Sequence, residues 1–209
     1  MTASAFASST IQSEPSPAGE AALVARLRAG DESAFEELVR TRGARMLAAA
    51  RRLLGSEDDA QDAVQEALVS AWKSMGRFHG DSTLSTWLHR ITVNFCLMKL
   101  RTRKRRRERS IDDLLPTFLD DGHRRVSPTP ARGPALDPEE LRALVRECID
   151  ELDAPHREVI LLRDLEELDT RETANVLGIS EAAVKTRLHR ARQALRTLLE
   201  PRLSDPIRG

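Results

Sequence analysis

An all-α fold of two small helical domains joined by a flexible linker is predicted by three features of this 209-residue chain. It carries five Phe, two Trp and no Tyr, too few large flat side chains for a sheet-rich fold, while the helix formers Ala, Leu, Arg and Glu abound. Apolar residues recur at steps of three and four in one segment after another, the period of a helix face. That period fails after Leu119, where Pro116, Pro128, Pro130 and Pro134 with Gly122 and Gly133 mark a linker. The expected division is a disordered tail over 1–19, a first domain over 20–109, the linker over 110–136, a second domain over 137–200 and a short tail over 201–209.

Composition narrows the function. Lys plus Arg and Asp plus Glu number 33 each, so attraction to a charged partner has to come from local patches. The two cysteines, Cys96 and Cys148, are far apart, have no Cys or His at ligand spacing, and fall on apolar helix faces; buried free thiols are expected, with no metal site. The first twenty residues hold no Lys or Arg and no sustained apolar run, and no later stretch has the length to span a bilayer. A cytoplasmic protein is expected. No carboxylate pair, nucleophile with a nearby base, or phosphate-cradling glycine loop stands out, so neither a cofactor nor enzymatic chemistry is expected.

Residues 1–19 are rich in Ser, Ala and Pro, with too few large apolar groups to offset ordering entropy. From Glu20 a short helix carries Leu23, Val24 and Leu27, and Gly30 closes it. A longer helix with Phe35, Leu38, Val39, Met46, Leu47, Ala50, Leu53 and Leu54 ends at Gly55, weakened in its middle by Arg42-Gly43. Ser56 caps a third, whose stripe is Ala60, Val64, Ala67, Leu68, Ala71, Trp72 and Met75. The first eleven residues of that segment, SEDDAQDAVQE, hold five acids and no base. Glu57, Asp58 and Asp59 suit a helix N-terminus. Asp62, Gln65 and Glu66 lie further in and form either a solvated face or a docking surface for something basic.

Residues 76–83, GRFHGDST, make a loop with an exposed-looking Phe78, leading to a fourth helix with Leu84, Trp87, Leu88, Ile91, Phe95 and Met98 on one side. Residues 99–109 then hold eight Lys or Arg, suited to a nucleic-acid backbone because each neutralised phosphate releases counterions; a solvated helix end is the alternative. Beyond the linker, Asp137-Pro138-Glu139-Glu140 supplies an N-cap, a proline at the first helical position and a capping-box acid. Leu141, Leu144, Val145, Cys148, Ile149 and Leu152 are its expected buried face. After Asp153-Ala154-Pro155 a helix with Val159, Ile160, Leu162 and Leu165 follows.

The last segment, TRETANVLGISEAAVKTRLHRARQALRTLL (170–199), reads as two helices about a turn at Gly178, with Ser180 capping the second. Val184, Leu188, Ala191, Leu195 and Leu198 make its apolar stripe. Thr186, His189, Arg190 and Gln193 face away, flanked by Lys185, Arg187, Arg192 and Arg196. This helix has five bases against one acid, whereas residues 156–172 have three against six. Ala174, Gly178 and Val184 have the spacing of a DNA-binding helix-turn-helix: a small residue at the crossing, a glycine at the turn and an aliphatic plug between the helices.

Taken with LDAPHREVILLRDLEELD before it, this segment makes the second half resemble region 4 of sigma factors of the sigma-70 family. The first half, with DAQDAVQEALVSAWKSMGRFHGDSTLSTWLHRITVNF and its basic tail, resembles region 2. Two such regions with only a linker between them resemble the extracytoplasmic-function (ECF) subgroup. The resemblance covers residues 20–200 and implies a dissociable initiation subunit of bacterial RNA polymerase that directs promoter-specific transcription under an anti-sigma factor. It implies that Asp62, Gln65 and Glu66 match D-x-x-Q-E and dock on the β′ clamp, with a further contact to the β flap. The loop Phe78, His79, Gly80, Asp81, Ser82 and Thr83 would capture a base flipped from the melted −10 element. Trp87, Arg90 and Asn94 match W-L-x-R-I-x-x-N at that site, and Lys185, Thr186, Arg187, His189 and Arg190 fall at the −35 reading positions. His79 and His89 stand where arginine and tyrosine are frequent in the family, so −10 base preference does not carry over. Two other classes fit the same helices: a helix-turn-helix regulator acting on duplex DNA without polymerase, and a helical adaptor that binds polymerase and blocks it.

Overall fold

A computed structural model of the chain describes residues 17–102, 109–115 and 137–204. Residues 1–16 of the tail expected over 1–19, most of the basic run, the linker beyond 115 and residues 205–209 lie outside the described residues; 17–19 belong to the first helix. The chain divides into two units, 1–102 and 103–209, and no strand occurs among the described residues, only an isolated bridge between Arg109 and Leu152.

The first unit is built from α1 (Pro17–Arg28), α2 (Glu32–Leu54), α3 (Glu57–Ser74), a 3-10 turn (Met75–Arg77) and α4 (Leu84–Thr102). Helices α2, α3 and α4 each pack on the other two. Leu38, Leu53, Leu84, Leu88 and Leu97 are almost wholly buried among them, and truncating such a leucine to alanine costs about 2–5 kcal/mol. Asp31 caps α2, accepting from the Ser33 and Ala34 amides. Gly55 ends that helix at φ 66°, a left-handed turn that glycine adopts without the Cβ penalty. Ser56 accepts from the Asp59 amide and starts α3.

Two expectations for this unit need correcting, the buried face of α4 and the exposure of Phe78. The Arg42-Gly43 pair, expected to weaken α2, lies within one continuous helix that ends at Gly55 as expected. Both residues are buried inside it, and the Arg42 guanidinium lies 3.6 Å from the Glu20 carboxylate of α1. On α4 the buried set is Leu84, Leu88, Thr92, Val93, Cys96, Leu97 and Leu100, rotated from the predicted stripe. Met98 is exposed, and Trp87, Ile91 and Phe95 are half-buried. α4 is apolar on most of its circumference, so periodicity alone did not choose the face; packing against both α2 and α3 did. Phe78 is buried too, contrary to its exposed appearance in the loop sequence.

The second unit holds α5 (Ile111–Leu114), α6 (Pro138–Glu151), α7 (Ala154–Ile160), a π-helical stretch (Leu161–Leu165), α8 (Thr170–Leu177) and α9 (Glu181–Ser204). Helix α9 is the hub, with α5, α6, α7 and α8 all packed on it. The predicted capping box of α6 is present, Asp137 accepting from the Glu140 amide and Glu140 reaching back to the Asp137 amide. Cys148, Ile149 and Leu152 are buried as expected; Leu141, one turn into the helix, is exposed, because only the second half of α6 lies deep in the unit. Residues Ser110 to Leu114, placed by sequence in the linker, form one helical turn. Its Ile111 and Leu114, three apart and so on one side, are buried against α9. The last helix also runs past residue 200, to Ser204, with Pro201 inside it.

Arg157 is fully buried in this unit and donates to the backbone carbonyls of Asp150 and Leu152. It ties the end of α6 to α7. Both cysteines are buried free thiols, and burial pushes the Cys148 thiol above its ordinary range.

Candidate functional site

Three surfaces carry the residues that the sequence singled out. On α3 the helical period places Ala60, Ala63, Val64 and Ala67 inward, which turns Asp62, Gln65 and Glu66 outward; the Asp62 and Glu66 side chains are 64% and 54% exposed. Glu57, at the start of the same helix, is engaged elsewhere. Arg51 donates to both of its oxygens at 2.6 Å, and with Gln61 this holds the Glu57 carboxyl down at about 2. The residue that sequence reasoning missed is Lys99. Read there as the first member of a basic run, it reaches across from α4 with its Nζ 3.3 Å from Asp62 and 4.0 Å from Glu66. Among the described residues, one ammonium faces the two carboxylates. Val69, one turn beyond Glu66, is an exposed aliphatic on the same side.

The second surface is the loop between the 3-10 turn and α4. Phe78 is 5% exposed, and its ring packs against Trp87 with centroids 5.2 Å apart and planes inclined at 47°. It supports the loop from below. His79, Gly80, Asp81 and Thr83 are exposed and Ser82 is half-buried. Gly80 sits at φ +84° with nothing within 4 Å of where a Cβ would be, so the apex is open on that side. Thr83 starts α4, its hydroxyl oxygen accepting from the Thr86 amide at 3.1 Å. Trp87, Arg90 and Asn94 follow at steps of three and four on that helix and so share a face; Trp87 and Arg90 are half-buried and Asn94 is exposed.

The third surface is the helix-turn-helix of α8 and α9. Asp169 caps α8 in a second capping box with Glu172, and Gly178 ends it at φ 66°. Ser180 accepts from the Ala183 amide at 3.2 Å and starts α9. Val159, Ala174 and Val184 form the buried centre, with Leu177, Ile179 and Leu188 packed around them. The small residue, the glycine turn and the aliphatic plug take the places their spacing predicts. Lys185, Thr186 and His189 are exposed; Arg187 and Arg190 are half-buried.

Arginines of α9 are already engaged within the unit: besides Arg196 with Glu200 and Arg202 with Glu147 and Glu151, two on or beside the outer face have partners. Arg190 donates to the Asp112 carboxylate of α5, side chains that are 38% and 75% exposed. Arg192 donates to both oxygens of Asp164, at 3.0 and 2.5 Å, which pushes its pKa above the ordinary range. The Thr186 hydroxyl donates back to the Ala182 carbonyl, leaving its oxygen as an acceptor. Among the described residues no group of three His, Cys, Asp or Glu is arranged to hold a metal ion, and no helix is long and apolar enough to cross a membrane.

Comparison with known proteins matches these units to families. Residues 38–106 match the sigma-70 region 2 model and residues 142–195 the sigma-70 region 4 model. RNA polymerase sigma-H factor of Pseudomonas aeruginosa is 31% identical over 183 residues, 88% of this chain and 95% of that protein. ECF sigma factor SigM of Mycobacterium tuberculosis is 33% identical over 86% of this chain and 84% of its own. ECF sigma factor SigG of the same species is 36% identical, but the chain spans only about half of its length, 51%. Among solved structures, CnrH in complex with the cytosolic domain of CnrY has a TM-score of 0.57 at 29% identity, covering 87% of this chain and 97% of that one. The sigma factor RpoE in complex with the anti-sigma factor NepR, from Bartonella quintana, has a TM-score of 0.51 at 28% identity, covering 79% and 96%. With both regions matched in order and the fold of each unit in agreement, the chain belongs to the ECF group of the sigma-70 family of RNA polymerase sigma factors.

Proposed function

We propose that this chain is an alternative sigma factor that binds core RNA polymerase in the cytoplasm and directs it to a small set of promoters, without catalytic chemistry of its own. The observation that carries the reading is the separation of two opposite faces: exposed Asp62, Gln65 and Glu66 on α3 in one unit, and Lys185, Thr186, Arg187, His189 and Arg190 on α9 in the other. The acidic face docks on a basic coiled coil of the β′ clamp. The loop His79 to Thr83, backed by Phe78 and Trp87, receives a base from the melted −10 element, with Arg90 and Asn94 alongside it. Helix α9 enters the −35 major groove, where a guanidinium pairs bidentately with guanine, and this unit also meets the β flap.

The functional boundaries follow: residues 20–109 for core binding and melting, 137–200 for −35 reading, and 110–136 as the connection, of which Ser110 to Leu114 pack on the reader. An anti-sigma factor that covers either face would hold the chain inactive. RpoE of Bartonella quintana is seen in complex with an anti-sigma factor, NepR, which supports control by an anti-sigma factor here.

Run-off transcription with purified chain and core polymerase tests the proposal. Transcripts from a specific set of promoters are expected; repression alone would make it an adaptor, and duplex binding without polymerase a free-standing regulator. Replacing Asp62 and Glu66 together by Lys places like charge against the basic clamp and is expected to weaken core association by roughly a hundredfold or more, since such juxtaposition costs several kcal/mol. Circular dichroism should stay unchanged because both sites are exposed. A normal core pull-down would remove the docking assignment.

A further inference from the structure

Helix α1 lies outside the residues matched by the region 2 model, yet it is bonded to both ends of the loop. Near its start, Glu20 accepts at 2.9 Å from the backbone amide of Leu84, the first residue of α4 and 64 positions away. Near its end, Arg28 donates to the carbonyl of Phe78, where the loop begins. The helix also packs on the 3-10 turn that precedes Phe78. Its own footing is secure: Leu23, Val24 and Leu27 are buried, and α1 packs on α2.

The Leu84 amide belongs to the class of donor that a helix start leaves without an intrahelical partner. Leu84 is wholly buried, so water is a poor substitute and Glu20 satisfies that amide. The second Glu20 oxygen lies 3.6 Å from the Arg42 guanidinium, which is 5% exposed, so the carboxylate also compensates a buried cation. Between the two anchored ends the loop apex remains exposed, with Gly80 at positive φ and open space beside it. Anchored ends and an open apex are the arrangement of a receptor held ready before its ligand arrives, which lowers the ordering cost of binding.

We infer that Glu20 and Arg28 of α1 are positioning residues for base capture: they fix the loop from Phe78 to Thr83 in the shape that receives the unstacked −10 base. The inference rests on the reading of that loop given under Proposed function. Neither side chain touches DNA in this account. Each acts through the backbone it holds.

The test uses holoenzyme reconstituted from the full chain and core polymerase, on a promoter selected from a random-sequence library. Open-complex formation is followed by 2-aminopurine fluorescence in the −10 element, alongside core affinity and −35 dependence. Leaving a buried amide unsatisfied loosens the loop, so Glu20→Ala is expected to slow opening about tenfold and to flatten base preference at −10, with core affinity unchanged. Glu20→Gln keeps an acceptor for the Leu84 amide and should recover most of the rate. Because Glu20 also faces Arg42, a second variant guards against a folding defect: Arg28→Met keeps an aliphatic stem at an exposed position and should give the same loss at −10.

Opening and base preference that match the unsubstituted protein in Glu20→Ala and Arg28→Met would overturn the inference, as would a loss that merely tracks core affinity or helix content. A double variant of the apex, His79→Ala with Asp81→Ala, separates the two levels of argument. If it leaves −10 preference untouched, the loop is not the base receptor and the reading beneath the inference fails. If it abolishes preference while the α1 variants do not, the receptor stands and α1 has no part in it.

Discussion

The acidic face of α3 and the basic face of α9 look alike on a helical wheel, each a run of one charge opposite an apolar stripe. Their surroundings differ. On α3, among the described residues, Lys99, itself only 22% exposed, serves both Asp62 and Glu66, so two acids share one described cation. On the outer face of α9 Arg190 and Arg192 each have their own carboxylate: Asp112 takes Arg190 and Asp164 takes Arg192. In the proposed roles the first face would dock without rearrangement, whereas the second would have to break an ion pair before Arg190 reached DNA. Such exposed pairs are worth about 0.2–1 kcal/mol, enough to tune binding but not to forbid it.

Among single substitutions on the two faces, the largest effect should come from Arg190 itself. If it reads a base, Arg190→Ala loses a bidentate contact worth about 1–3 kcal/mol and relaxes discrimination at one −35 position, with core affinity intact. Competition binding of holoenzyme against a set of single-substituted −35 duplexes measures this. A uniform loss across all sequences would instead make Arg190 a phosphate contact, and an equal loss of core affinity would break the division of labour between the two units.

Much of the fold could be read from residues whose meaning is local. Asp137 with Glu140, Ser56, Ser180, Gly55 and Gly178 announce helix ends through hydrogen bonds within a few residues, and each end lies where the sequence placed it. The helix-turn-helix was legible for the same reason, since Ala174, Gly178 and Val184 meet within one hairpin. What escaped were contacts between residues distant in sequence. Lys99 with Asp62, Arg190 with Asp112 and Glu20 with the Leu84 amide are separated by 37, 78 and 64 positions, and no short-range pattern encodes them. Phe78 misled because a loop flanked by glycine reads as solvent-exposed until Trp87 is known to lie beneath it.

The smallest expected effects isolate the counter-ions. Asp112→Asn releases Arg190 and should tighten binding to −35 duplex by up to about fivefold, the most that an exposed ion pair can return. Lys99→Gln leaves two acids without their shared ammonium and should strengthen core association by a similar factor, more at low salt than at high. Each gain has to depend on its own partner, so a double-mutant cycle decides the cause. In an Arg190→Ala background, Asp112→Asn should have no effect on duplex affinity; if the gain persists there, it comes from general loss of negative charge near DNA and the pair is not a restraint. In an Asp62→Asn, Glu66→Gln background, Lys99→Gln should likewise do nothing for core binding. A gain confined to Asp112 would leave the α9 face restrained and the α3 face indifferent to its lysine, against the expectation that each counter-ion holds back its own face.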